Sequence, residues 1–144
     1  SAFNEKLIQL LHEKEFDLIQ MEGLYLSPYT ETVRAFSKAR IVMRAHNVEH
    51  EIWKMIAKNE EHFIKRFYLT ILAKQLRNYE LSRLNKYDLM APISDPDADK
   101  LKSFGCELPI HICPASYNES SLIPDKSKIE FPSLFLTMIN HQKK

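Results

Sequence analysis

The sequence predicts an α/β fold: a Rossmann-like, doubly wound parallel sheet in three layers, incomplete at one edge. Three observations carry that expectation. Short apolar runs of strand length alternate with segments of helical period along most of the chain. Helix-start signals follow two of those runs, in Ser27-Pro28 and Ser94-Asp95-Pro96. A polar elbow, Arg44-Ala45-His46-Asn47, separates the apolar run Ile41 to Met43 from a helical pattern that starts at Val48. Strands alternating with helices wind into a parallel sheet with right-handed crossovers, covered on both faces.

Phe3, Leu7, Ile8, Leu10 and Leu11 make a first amphipathic helix, with Asn4 as its cap. Phe16 to Met21 reads as a strand ending at Glu22-Gly23. Ser27 then caps a helix that has Pro28 at its first position and runs to about Lys38. The strand Ile41 to Ala45 follows. The helix after it carries Val48, Ile52, Met55 and Ile56 at spacings of three and four. From His62 to Lys86 neither Gly nor Pro interrupts a long helical pattern, whose apolar residues are Phe63, Phe67, Ile71, Leu72, Leu76, Tyr79, Leu81 and Leu84. Tyr87 to Ile93 is a strand, Ser94 caps the next helix, and Gly105 ends it. Pro109 to Cys113 is a fourth strand. The polar stretch from Pro114 to Pro132 reads as a linker, and Ser133 to Ile139 as one more strand. The expected division is a Rossmann-like domain over 1–116, with a linker and the start of a second domain over 117–144.

Composition narrows the function. A chain of 144 residues suits one domain with a real core. The formal net charge of +1 gives no electrostatic case for nucleic acid. Two glycines, Gly23 and Gly105, are too few for a phosphate-cradling glycine loop. Cys106 and Cys113 read as reduced, mostly buried thiols. No apolar run approaches the roughly 20 residues of a membrane span. The expected location is cytoplasmic, with peripheral membrane contact allowed. No cofactor and no metal are expected.

In an open parallel sheet, ligands bind beyond the carboxyl ends of the strands, where helices begin. His46 falls at such a place, and an imidazole there can do proton or hydrogen-bond work near neutral pH. A polar residue serving only the strand end is the competing reading. Asn47 suits a helix N-cap, and Glu49 a first helical turn, where a carboxylate favours the helix dipole. His46-x-x-Glu49-His50 also fits an inverted zinc-peptidase pattern. His46 is expected to precede the helix, so the two rings need not converge, and no third ligand is evident beyond Glu80. Asp95, Asp97 and Asp99 read as an acid-rich first turn rather than a cation site. Lys65, Arg66, Lys74, Arg77, Arg83 and Lys86 read as a solvated face of the long helix.

Several segments, in order, resemble the N-terminal, acceptor-side domain of a GT-B glycosyltransferase of the large retaining family four. They are Phe16-Asp-Leu-Ile-Gln-Met-Glu22, Arg44-Ala-His-Asn-Val-Glu-His-Glu-Ile-Trp53, Tyr79-Glu80 with Tyr87-Asp88, Ile93-Ser94-Asp95 with Asp97, and the Gly105 turn followed by Ile110 to Pro114. The match covers roughly residues 5 to 135. It implies half of a two-domain enzyme that moves a sugar from a nucleotide-sugar donor to a hydroxyl acceptor, a glycan or lipid-linked molecule of the cell-envelope polysaccharide kind, with retention and without a metal. His46 matches the histidine that faces the interdomain cleft, which makes it the expected catalytic residue. Glu22, Asn47 and Ser94 are the expected substrate-binding residues.

The departures are as informative. The family opens with a strand and a Gly-rich turn not found before residue 16, and Pro114-Ala-Ser-Tyr117 stands where the hinge usually reads Pro-Asn-Gly or Pro-Val-Gly. The chain is therefore expected to be a domain fragment or degenerate copy, without transferase activity alone. A nucleotide-sugar would bind only with the second domain. The alternative is a non-catalytic α/β binding or interaction module derived from that fold. An exposed sheet edge would then favour homo-oligomers.

Overall fold

The computed structural model describes residues 2–114 in full and residues 133–136 by their backbone. Leu18–Glu22 (β1) and Arg40–Ala45 (β2) pair in parallel, from Leu18 opposite Arg40 to Glu22 opposite Arg44. Leu89–Pro92 (β3) adds to β2, with Val42 opposite Leu89 and Ala45 opposite Pro92. Ser133–Leu136 (β4) adds to the other side of β1. The order is β3-β2-β1-β4, all parallel, so the sequence-predicted α/β class holds. The linker expected at 115–132 and the end of the last strand at 137–139 lie outside the described residues.

The predicted strand over Pro109 to Cys113 is reduced to one bridge, between Met90 and Ile110. The backbone gives the reason. Met90 N–H donates to Pro109 O, His111 N–H to Met90 O and Cys113 N–H to Pro92 O, each at 3.0 Å or less. The missing rung needs an N–H at position 92, which is proline.

From β1 to β2 to β3 the sheet advances in one direction, with helices in the connections. These are Thr30–Phe36 (α2), Glu49–Asn59 (α3), Phe63–Arg83 (α4) and, beyond β3, Asp95–Ser103 (α5); Ala2–Glu13 (α1) precedes the sheet. Ile19, Met21, Ile41 and Met43 are buried at alternate strand positions and cluster with Leu7 and Leu11 of α1, Val33 of α2, Leu84 and Leu101. The intervening positions Leu18, Gln20, Glu22, Val42 and Arg44 are part-buried. Gln20, Glu22 and Arg44 therefore share the second face, whereas a sheet covered equally on both sides carries apolar runs.

Helix starts depart from the sequence expectation in three places. Ser27 and Pro28 lie inside a 3₁₀ helix, Leu24–Tyr29, entered through Gly23 at φ +90, and α2 begins only at Thr30. Ser27 is fully buried and its hydroxyl bonds that of Tyr87, so it is not available as a cap. Burial pushes the Tyr87 phenol up to about 12, against the opposing effect of the Ser27 bond. Asn4 lies within α1, where its Oδ1 accepts from Thr32 Oγ1 at 2.8 Å instead of capping the helix. Asn47 is exposed and the residue before α3 is Val48, with no side-chain cap of its own. At α5 the expectation holds. Ser94 Oγ accepts from the N–H of Asp97 at 3.3 Å and donates to its carboxylate at 2.5 Å. Gly105, at φ +91, closes the other end, with Cys106 N–H on Leu101 O at 3.0 Å.

The cap that α3 lacks locally comes from α4. Glu80 Oε1 accepts from the N–H of Glu49, and Oε2 from the N–H of His50, both at 3.2 Å. Oε2 also accepts from His50 Nδ1 at 2.6 Å. Both side chains are buried. One carboxylate thus satisfies two open donors of a helix end and a buried imidazole, and pins α3 to α4. Glu80→Ala strands all three donors away from water and is expected to lower stability by about 3 kcal/mol, read from urea unfolding at neutral pH. A loss below about 1 kcal/mol would show that water replaces the carboxylate without difficulty.

Candidate functional site

The site is built at the carboxyl ends of β1 and β2. Glu22 is the last residue of β1, and His46 directly follows β2. Parallel pairing sets Glu22 opposite Arg44, and Gly23 N–H donates to Arg44 O at 3.0 Å. In this register His46 Nε2–H donates to Glu22 Oε2 at 2.6 Å. Arg44 reaches the same oxygen at 3.4 Å with one guanidinium nitrogen, and Gln20 donates to the other carboxylate oxygen. The side chain of Glu22 is 15% exposed and that of His46 is 44% exposed, so the carboxylate is sheltered and the imidazole meets solvent.

Glu22 is a contest between burial and donors. Burial is the largest single influence and pushes its carboxyl upward. The hydrogen bonds from Gln20 and His46, with the charge of Arg44, together outweigh it and hold the group below the ordinary value of 4.5. Arg44 Nε is buried and meets no hydrogen-bond partner among the described residues. Glu49 goes the other way: burial, then the charge of Glu80, pushes its carboxyl up. Tyr25 donates to it at 3.4 Å.

A narrow, mostly apolar crevice runs inward beside this pair. Gly23, Ala45, His46, Asn47, Arg83 and Tyr87 contribute to its walls. It has room for little more than a water molecule, so a sugar-sized ligand does not fit inside it.

The structure brings together two of the four residues singled out in the sequence. Glu22 and His46 touch. Asn47 lines the crevice but is exposed. Ser94 lies just past β3, its hydroxyl engaged with Asp97, and no described contact joins it to Glu22 or His46. The inverted zinc pattern does not assemble. His46 turns to Glu22 and His50 to Glu80, and among the described residues no three His, Cys, Asp or Glu side chains form a group that could hold a metal ion. The sequence reading does not single out Gln20 or Arg44 as site residues, and it offers Glu80 only as a metal ligand. Glu80 had a signal: it lies in register with Ala73, Leu76 and Leu84, the spacing of a packed helix face, where a carboxylate needs a partner.

Compared with protein-family models, curated proteins and solved structures, the chain matches none.

The two carboxyl shifts give opposite pH dependences. Glu22 is depressed in the fold, so its stabilisation is present above the unfolded value of 4.5 and is lost as pH falls through its lower folded value. Glu49 is raised, so the fold gains from its protonation over the same descent. Glu22→Gln is therefore expected to flatten the acid limb of stability below about pH 5, and Glu49→Gln to steepen it. Thermal unfolding across that range measures both, and identical acid limbs in all three proteins would refute the assignment.

Proposed function

We propose that this chain is the acceptor-side domain of a GT-B, retaining-type glycosyltransferase, with its sheet forming part of a doubly wound, three-layer fold. The order of segments along the chain supports the reading. The single observation that carries it is the Glu22–His46 pair at the carboxyl edge of parallel strands, where open α/β sheets take their ligands.

In this reading Glu22 is the positioning residue. It holds Nε2–H of His46 and fixes the ring, which leaves Nδ1 as the ring atom that can accept from a sugar hydroxyl. His46 is the residue that touches the reacting sugars. Arg44 neutralises Glu22 from behind. Asn47 adds an amide at the rim, and Ser94 would line the acceptor side from the end of β3. The nucleotide-sugar belongs to a second domain closing over this edge.

A heteronuclear NMR titration separates this from the alternative of a non-catalytic module. Simple hexoses and lipid-linked sugar mimics are expected to shift His46, Glu22 and Asn47, with saturation lost in His46→Ala, while nucleoside diphosphates alone leave them unmoved. No shift at these residues with any sugar would contradict the proposal.

A further inference from the structure

Helix α4 is apolar on two opposite sides. Leu69, Ala73, Leu76, Glu80 and Leu84 fall at spacings of four and three and turn inward. Phe63, Ile64, Phe67, Tyr68 and Ile71 stand at i, i+1, i+4, i+5 and i+8, on the other side of the helix. Phe63, Phe67 and Ile71 belong to the helical apolar pattern read from the sequence, a spacing that usually marks a core face. Instead Phe63 and Phe67 are each 69% exposed, Tyr68 62% and Ile64 60%. Two and a half turns of large apolar side chains thus face solvent at the start of the helix, far more than scattered surface residues explain.

The patch has a charged neighbour. A groove between α3 and α4 is lined by Lys54, Lys58, Arg66, Lys74 and Arg77, none of which pairs with a described carboxylate. Arg66 and Thr70 line both this groove and the apolar patch, so the two surfaces are continuous. The nearby acids do not cancel the charge. Glu60 is held by Lys65 at 2.6 Å, which leaves Glu61 alone in the turn.

We propose that the tip of the α3–α4 hairpin docks on an anionic lipid bilayer, with Phe63, Ile64, Phe67 and Tyr68 entering the headgroup boundary and the five cations meeting lipid phosphates. Exposed aromatic and aliphatic side chains beside clustered lysine and arginine are the composition of an interfacial helix. No described helix is long and apolar enough to cross a membrane, so this contact lies on the surface. Charge complementarity selects the anionic bilayer over a second copy of the chain, since a two-fold contact through this patch would set each copy's Arg66 and Lys74 near the other's. The inference does not depend on the Glu22–His46 site.

Flotation of the full chain with phosphatidylcholine vesicles, with and without about a quarter phosphatidylglycerol, tests it. Binding is expected only with the anionic lipid. Phe63→Ser with Phe67→Ser is expected to weaken it about tenfold or more. Lys74→Gln with Arg77→Gln is expected to weaken it and reduce its salt sensitivity. Both pairs are exposed, so unchanged thermal unfolding is the control for folding. Absence of binding to anionic vesicles would overturn the proposal, as would binding indifferent to the phenylalanines. A dimer in sedimentation that disperses on Phe63→Ser with Phe67→Ser would assign the patch to a second copy and overturn it equally.

Discussion

The arrangement depends on where one carboxylate sits. Glu80 projects from α4 into the start of α3 and accepts three hydrogen bonds there, two from backbone N–H groups and one from His50. Without it α3 would begin with no cap, because Val48 has no polar side chain and Asn47 lies out in solvent. The elbow between β2 and α3 is only three residues long, so fixing the first turn of α3 fixes the elbow, and the elbow carries His46. A helix-to-helix contact thereby sets the position of the imidazole at the sheet edge.

The second constraint is register. Parallel pairing with Glu22 opposite Arg44 leaves His46 two residues beyond Arg44, on the same side of the strand, within reach of the carboxylate. Glu22, Gln20 and Arg44 occupy the half-buried face, opposite the Ile19, Met21, Ile41 and Met43 core. Separation by strand parity lets a polar cluster and an apolar core share two short strands. The carboxylate is buried enough to be costly alone and is held ionised by its donors. That balance keeps a charged group beside an exposed imidazole without metal ligation.

Much of this could be read from the chain alone. Strand and helix alternation, the Ser94 cap, the Gly105 stop and the strand-end position of His46 are local properties, and local chemistry encodes them. What could not be read is non-local. Ser27-Pro28 has the form of a cap, yet Tyr87, sixty positions away, takes the hydroxyl. Asn47 has the form of a cap too, but Glu80 performs that task from another helix. Pro92 costs the edge segment a rung only once that segment lies beside it. The outward face of α4 misled because periodicity reports that residues share a side, not which side is covered. Phe63 and Phe67 fit a helical stripe as well as Leu69 and Ala73 do.

Ring-nitrogen NMR of the histidines tests the central claim most directly, since it reports which nitrogen bears the proton and whether that proton is held. The account predicts, near neutral pH, a protonated Nε2 on His46 whose signal changes in Glu22→Gln. It also predicts a protonated Nδ1 on His50 that changes in Glu80→Gln. A His46 ring that behaves as a freely exchanging imidazole and ignores the loss of Glu22 would contradict it, because the strand-end pair on which the functional reading rests would then not exist.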